Sequence, residues 1–426
     1  MISLEITEEK QKRNIYLYPI YKMLSWDLLF YYSIIFLFLT QVKGISAADV
    51  LLGEALYPAF KVIFLVPLTA LSNKIGKRNS MIFGNFVNIF SILCYMIAQN
   101  FTYVVIGQFL SAIAFSIKSI TESNFLYDTL PKGEKRGHTF AKIDGKGTSW
   151  YYYLDAISSF ISGFLYIING YLPMLLCLVS CIVSTILCFL FQETTKMEED
   201  TISVRKYMKD LKFSFQYIFQ SNRLRYLIVF GAILSGFMGI LISLRSATLE
   251  QIQFPEQYFG IVFAVLGIIS GISSRNQHHL HNYFHNKTLA VLALPTTISC
   301  IVIGLTVLGK LSYQLTVSII LWMFFFQFLA KGPFNTLIKR YLNNFTNTAL
   351  REKIASCYNL VESISKAIIG FLVSWLLRGT TASNTMLVIG CIFTIVVVLL
   401  LDKMRSRVGL KPEEYSKKEI EFTELK

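Results

Sequence analysis

The sequence predicts an all-α, polytopic membrane protein with twelve transmembrane helices arranged as two pseudo-symmetric six-helix bundles. Three observations carry that reading: composition, run length and an internal repeat. The 426 residues are 54% hydrophobic and 15% charged, with mean hydropathy +0.52. Soluble domains carry about 25% charged residues. The chain is long enough for a dozen spans of ~20 residues joined by short loops.

Hydrophobic run length places the spans of the first half at Tyr16–Gln41, Ala48–Leu71, Ser80–Ala98, Tyr103–Tyr127, Gly147–Ile168 and Leu172–Phe191. Those of the second half fall at Tyr226–Leu249, Tyr258–Ser274, Thr288–Leu308, Tyr313–Ile338, Ile354–Leu377 and Asn384–Leu401. Residues 1–191 form the first expected bundle and 226–401 the second. Residues 192–225 are the longest polar stretch, a charged, partly helical cytoplasmic linker on the membrane surface. Residues 402–426 form a polar cytoplasmic tail. The first residues mix both charge signs and lack the basic start and apolar run of a removed signal.

The repeat supports the division. When the fifth span is laid on the eleventh without a gap, Lys146 meets Lys353, Ser149 meets Ser356 and Tyr151 meets Tyr358. Gly163-Phe164-Leu165 then meets Gly370-Phe371-Leu372, and Asp155 meets Glu362. Shared apolar composition does not explain the lysine, tyrosine and glycine matches. Internal repeats of this kind are a mark of transporter folds.

Formal net charge is +14, a balance that in a soluble chain would suggest nucleic acid. Here the basic residues fall in connections between apolar spans, chiefly the even-numbered ones, so topology accounts for them and nucleic acid is excluded as a partner. Basic connections stay cytoplasmic, which puts both termini inside a multi-pass cell membrane, with bacterial usage of Ile, Phe and Asn. The seven cysteines lie in apolar runs with no Cys-x-x-Cys pair, and such thiols are inert filler. His278, His279, His281 and His285 crowd one end of the eighth span. No cysteine or carboxylate nearby completes a tetrahedral site, so no metal is expected. Gly145-Lys146-Gly147-Thr148 lacks the spacing of a phosphate loop. No nucleophile–base–acid set appears, so no catalytic residues, no cofactor and no enzyme activity are expected.

Charge is unevenly sorted among the spans. The third, sixth, ninth and twelfth contain no Asp, Glu, Lys or Arg, and are expected to face lipid. Charges fall within the first (Asp27), second (Lys61), fourth (Lys118, Glu122), fifth (Asp155), seventh (Arg245), tenth (Lys331) and eleventh (Glu362, Lys366) spans. A charge inside a span costs about 2.5–3.5 kcal/mol on insertion scales, so it belongs in a pair or on a wet pathway. Asp27, Lys61, Asp155, Glu362 and Lys366 fall roughly 12–18 Å from a span end at ~1.5 Å per residue. Tyr151 stands one turn before Asp155, and Tyr358 one turn before Glu362. Lys118 with Glu122, and Glu362 with Lys366, have the spacing of helix-internal ion pairs. Arg245 lies toward the outer end of its span, within reach of outer water. Lys331 precedes Gly332-Pro333, from where its amine can snorkel.

These residues make the expected substrate and proton site: Asp27, Asp155 and Glu362, with Glu122, as proton or cation groups; Lys61, Arg245 and Lys366 for an anionic group; Trp150, Tyr151 and Tyr358 as wall. The expected function is alternating-access transport of a small organic molecule, driven by protons. Efflux of a drug or metabolite is the first reading, nutrient uptake the second, and a non-transport sensor or lipid-handling role the third. The protein is expected to act as a monomer in the bilayer.

Between the second and third spans runs a basic turn, Ser72 to Ser80. With the residues before it, it reads Thr69, Ala70, Leu71, Ser72, Asn73, Lys74, Ile75, Gly76, Lys77, Arg78. It resembles the signature loop of the major facilitator superfamily, Gly-x-x-x-Asp-Arg-x-Gly-Arg-Lys. Gly76, Lys77 and Arg78 match its glycine and basic pair, and Lys74 matches in charge. Thr69 replaces the first glycine and Asn73 the aspartate. In that family the aspartate helps latch the halves on the cytoplasmic side, so the resemblance implies a cytoplasmic gating loop of Asn73, Lys74, Gly76, Lys77 and Arg78 with a weaker or rebuilt latch. The segment Ser119 to Asp128 is similar to a bacterial drug and metabolite branch. The fifth span offers Ser159 and Gly163 where drug–proton antiporters carry a Gly-Pro pair.

Overall fold

The computed structural model describes residues 8–131, 136–193, 204–220, 222–284, 287–309, 311–344, 346 and 350–404. Among these the regular structure is helical. The helices are α1 (Glu8–Ser25), α2 (Ile35–Leu37, running into a π-turn at Phe38–Val42), α3 (Ala47–Ile75), α4 (Lys77–Met96) and α5 (Phe101–Thr129). Then come α6 (Arg136–Ile168), α7 (Leu172–Leu190), α8 (Val204–Gln220), α9 (Asn222–Gln251) and α10 (Phe259–Arg275). The last are α11 (Gln277–Phe284), α12 (Thr288–Leu308), α13 (Tyr313–Asn344), α14 (Arg351–Gly379) and α15 (Ala382–Met404). The central linker contributes α8. The polar tail after Met404 and the residues before α8 lie outside the described residues, as do the side chains of His278, His281 and His285.

Among the described residues, nine helices are long and apolar enough to cross a membrane, or ten if the bent α3 counts as one span. The two expected spans that miss the test miss it for visible reasons. In α6 the half beyond its polar start, Tyr151–Ile168, carries three tyrosines in a row, Asp155 and three serines, which hold its hydropathy down. The first span is not one helix. It stops at Ser25 and resumes at Ile35, with Phe30 at φ +61 in the intervening segment. The expectation of a single helix over Tyr16–Gln41 is corrected accordingly. No Pro or Gly lies in the break; Phe30 N–H donates to Ser158 Oγ on α6, a tertiary contact, while Leu28 N–H bonds locally to Asp27 Oδ1.

The basic turn is also tighter than expected. α3 continues to Ile75 and α4 begins at Lys77, leaving Gly76 alone between them at φ +85. Only glycine takes that conformation without strain. A side chain there would also strike Glu193, whose Oε2 would stand 2.6 Å from the new Cβ. α3 itself bends by 54° between Ala47–Leu65 and Pro67–Ile75, as expected where proline removes a helical donor. α5 is capped by Asn100, whose side chain accepts from Thr102 N–H at 3.0 Å, a standard N-cap.

The chain divides into two compact units. The first takes the described residues of Met1–Ser46, Leu56–Lys206 and Pro255–Ala264; the second takes those of Ala47–Ala55, Tyr207–Phe254 and Val265–Lys426. In the first unit, a Cβ on Gly163 of α6 would stand 2.4 Å from the Gln257 carbonyl. In the second, a Cβ on Gly370 of α14 would stand 2.5 Å from the Ala55 Cβ. These are the paired glycines of the repeat. Each lets its helix approach another segment at near backbone distance, which is why both copies keep a residue without a side chain there.

The helices that carry the charge-free spans pack within their own units: α4 on α5 and α7, and α12 on α13 and α15. They are not the most exposed. The apolar windows of α4, α7, α12 and α15 are 33–50% buried, against 22–28% for α10, α13 and α14. Small and hydroxyl side chains on α4 and α7, such as Ser91, Ser180 and Ser184, seat these helices deeply.

Candidate functional site

In the first unit the break in the first span is the organising feature. Asp27 sits in it, and its Oδ1 accepts from the Leu28 amide at 2.8 Å and from the Tyr32 hydroxyl at 2.7 Å. Asp155 and Tyr151, on α6, lie within electrostatic reach of Asp27, as do Lys61 and Lys118. Asp155 has no ion-pair partner among the described residues. Lys61 lies 5.5 Å from the Tyr57 ring centroid, and Lys146 lies 4.7 Å from that of Trp150. Asp27, Lys61, Tyr151 and Asp155 are therefore brought together. Trp150 is half-buried on the same helix.

Glu122 belongs to a different environment. It is 6% exposed, and its Oε1 accepts from Tyr21 Oη at 2.6 Å and Ser25 Oγ at 3.1 Å, with Lys118 Nζ at 3.9 Å. Lys118 also donates to the Ser25 carbonyl. Asn85 on α4 donates to the Tyr21 hydroxyl at 2.9 Å. The network ties α1, α4 and α5 together and leaves little of the carboxylate open to a ligand.

In the second unit, Glu362 and Lys366 form the expected ion pair at 2.6 Å, and Ser235 Oγ on α9 donates to Glu362 at 2.5 Å. Tyr358 is buried and faces Gly231 on α9, where an added Cβ would stand 3.3 Å from its hydroxyl. Arg245 does not reach outer water: it is 1% exposed, and its Nε donates to Gln327 Oε1 on α13 at 2.7 Å. Its guanidinium carbon lies 4.5 Å from the Phe328 ring centroid. Lys331 lies 5.6 Å from the same ring and is half-buried.

Some charges inside the expected spans escaped the sequence reading. Lys22 on α1 is 1% exposed and pairs with Asp144 on α6, which also accepts from Tyr18 Oη at 3.1 Å. Glu54 on α3 accepts from Ser243 Oγ on α9. Asp49 accepts from Arg378 on α14 at 2.8 Å. Each stood inside or beside an apolar run, and that position alone was the available signal.

The basic turn around Gly76 is held by carboxylates from elsewhere in its unit. Lys77 pairs with Asp128 at the end of α5, and Arg136 lies 3.8 Å from the same carboxylate. Glu193 accepts from the Arg78 amide at 2.9 Å, at the N-terminus of α4, where the helix dipole favours a negative charge. Asn73 and Lys74 carry no ion pair among the described residues.

Each copy of the repeated helix carries one half-buried carboxylate, Asp155 in the first unit and Glu362 in the second. Residues 23–367 match the family model described as Major Facilitator Superfamily. The chain belongs to the major facilitator superfamily. Members of this superfamily are secondary transporters, so this chain is a multi-pass membrane transporter. Its fold is similar to that of a mutant form of the nucleoside transporter NupG, at 10% identity, covering 92% of this chain and 99% of that one, with a TM-score of 0.72. It is also similar to a bacterial homologue of the human lysosomal transporter Spinster in an inward-facing, unoccupied conformation: 11% identity, 97% and 100% coverage, TM-score 0.70. A third is the peptide transporter POT in complex with sulfate: 13% identity, 94% and 95% coverage, TM-score 0.68. No curated protein matches the sequence.

Proposed function

We propose that this superfamily member is a proton-coupled carrier that moves a small organic molecule across the cell membrane by alternating access, as a monomer with both termini in the cytoplasm. The observation that carries the reading is Asp155: a carboxylate in mid-helix, within reach of a second carboxylate, Asp27, and without an ion pair of its own among the described residues. A carboxylate in a low-dielectric span is tolerated when it can take up a proton, and a carrier uses that uptake to gate movement. Lys61 and the tyrosines beside it supply a charge and hydroxyls for a polar solute. Glu362, held by Lys366 and Ser235, is the matching group of the second repeat. The direction we assign first is export, with nutrient uptake as the alternative.

The test is flux in proteoliposomes with an imposed pH gradient of either sign, screened across amphipathic drugs, peptides and nucleosides. Wild-type protein should move at least one class against its gradient. Asp155→Asn should abolish the response to pH while leaving exchange down a solute gradient. Undiminished pH-driven flux in Asp155→Asn removes the residue from the mechanism, and accumulation only toward the cytoplasmic side reverses the direction.

A further inference from the structure

The second unit holds a buried cation, Arg245, with no counter-charge among the described residues. Arg245 projects from α9 onto one face of α13. That face is built by Phe324, Gln327, Phe328 and Lys331, whose spacing of three and four residues puts them on one side of the helix. The guanidinium carbon lies 4.5 Å from the Phe328 centroid and 5.9 Å from that of Phe324. Its Nε is fixed by Gln327 Oε1, and Gln327 is fixed in turn by donating to Ser299 Oγ on α12 at 2.8 Å. The Ser299 hydroxyl donates to the Thr296 carbonyl. Every partner in this chain of contacts is neutral.

Two observations show that the arrangement is incomplete by itself. First, Arg245 Nη1 is buried and has no hydrogen-bond partner, although the residue is 1% exposed. Second, the nearest cation adds to the charge. Lys331 Nζ stands over the same Phe328 ring, at 5.6 Å, and no carboxylate among the described residues pairs with Lys331 or Arg245. Glu362, the nearby acid of the repeat, is committed to Lys366. Two cations sharing one aromatic ring, one of them fully buried, leave an uncompensated charge whose desolvation costs several kcal/mol. An aromatic face offsets only part of that, about 2 kcal/mol when desolvated.

We infer that Arg245 and Lys331, with Gln327 orienting the guanidinium, form a site for an oxyanion group, a carboxylate or a phosphate carried on a small, partly aromatic or apolar organic molecule. A guanidinium fork with one edge tied to Gln327 presents Nη1 to such a group. Phe324 and Phe328 supply an apolar wall for the rest of the molecule. Lys331, half-buried where Arg245 is sealed, marks the side from which the anion enters. This rests on the transport reading above and names the chemistry of its substrate.

The experiment is ligand-dependent thermal stabilisation of the purified full-length protein in dodecyl maltoside without added lipid, which excludes lipid phosphate as the anion. Probes are benzoate and phenyl phosphate, with benzyl alcohol as neutral control and chloride at equal ionic strength as reference. Saturable stabilisation by benzoate, phenyl phosphate or both is expected, and none by benzyl alcohol. The responding probe tells carboxylate from phosphate. Arg245→Gln and Lys331→Gln should each weaken apparent affinity at least tenfold. Arg245→Lys, which keeps the charge but loses the fork, should weaken it less. Should Arg245→Gln fail to fold, Arg245→Lys and Lys331→Gln carry the test. An oxyanion effect no larger than chloride's in wild-type protein overturns the proposal, as does unchanged affinity in the variants. Binding is read without flux, so loss of pH-driven transport in Asp155→Asn with anion binding intact separates this site from the proton step. Transport without oxyanion binding leaves the carrier reading standing and the substrate class refuted.

Discussion

Gly370 lies so close to Ala55 that a methyl group on the glycine would stand 2.5 Å from the alanine's own Cβ. Around this point Ser374 Oγ donates to the Ala48 carbonyl at 2.7 Å, and Arg378 donates to Asp49. The polar ties fix the register of α14 on the first turns of α3, and the small residues set the distance. Overpacking of this kind costs about 1–3 kcal/mol. Gly370→Ala should therefore lower the melting temperature in detergent, and adding Ala55→Gly should restore most of the loss. A double variant no more stable than Gly370→Ala would show that the contact does not limit packing.

Lys22 and Asp144 should respond unequally. The lysine is 1% exposed, while the Asp144 side chain is 24% exposed and keeps Tyr18 as a second donor. Removing the acid strands a buried ammonium; removing the lysine leaves a carboxylate that can still meet water. Breaking a buried pair costs about 3–5 kcal/mol, so Asp144→Asn should approach that figure and Lys22→Met should fall below it. Thermal unfolding of the two variants and of the double variant checks the order.

Gly76 is constrained twice, by its positive φ and by Glu193. Gly76→Ala should cost about 1–2 kcal/mol for the backbone alone, plus the displacement of the Glu193 carboxylate from the start of α4. Gly76→Ala with Glu193→Ala should recover only the second part. Melting temperatures of the two single variants and the double variant resolve the contributions. Full recovery would mean that the backbone conformation carries no cost.

Tyr21 gives a hydrogen bond to Glu122 and takes one from Asn85. Tyr21→Phe takes one partner from each group, while Glu122 keeps Ser25 and Lys118 and Asn85 keeps the Met81 carbonyl, a loss of about 1–3 kcal/mol for the hydrogen bond to the charged group. Stability should fall while pH-driven flux per folded molecule is kept, as expected of a carboxylate committed to Tyr21, Ser25 and Lys118. A flux defect without a stability defect would move Glu122 into the transport pathway.

Much of this architecture could be read from run length. Thr288–Leu308 was bounded without error, and α7 within a residue, because both are uninterrupted apolar runs between polar stops. The glycine match of the repeat was legible as an identity, and the carboxylate match as Asp155 against Glu362, between Lys146–Leu165 and Lys353–Leu372. The break at Asp27 was not, because no helix-breaking residue marks it: it is held by a hydroxyl from Ser158, far along the chain. Periodicity has no access to such a partner. Nor could spacing reveal that Arg245 turns inward to Gln327 or that Lys331 shares a ring with it, since both depend on which helix lies alongside. Lys22 and Glu54 were hidden differently. Each sits near a span end, where a charge is usually taken as belonging to the loop.

The two copies of the repeated helix are not equal in charge. Glu362 is neutralised by Lys366 one turn later, and the place of that lysine in the first copy is held by Ser159, so Asp155 goes without. One side chain therefore separates a carboxylate with a built-in counter-ion from one that must borrow its cation from outside the helix. If the halves descend from a common ancestor, division of labour between them can hang on that single site, and exchanging the two residues would move the electrically unbalanced copy from one half of the protein to the other.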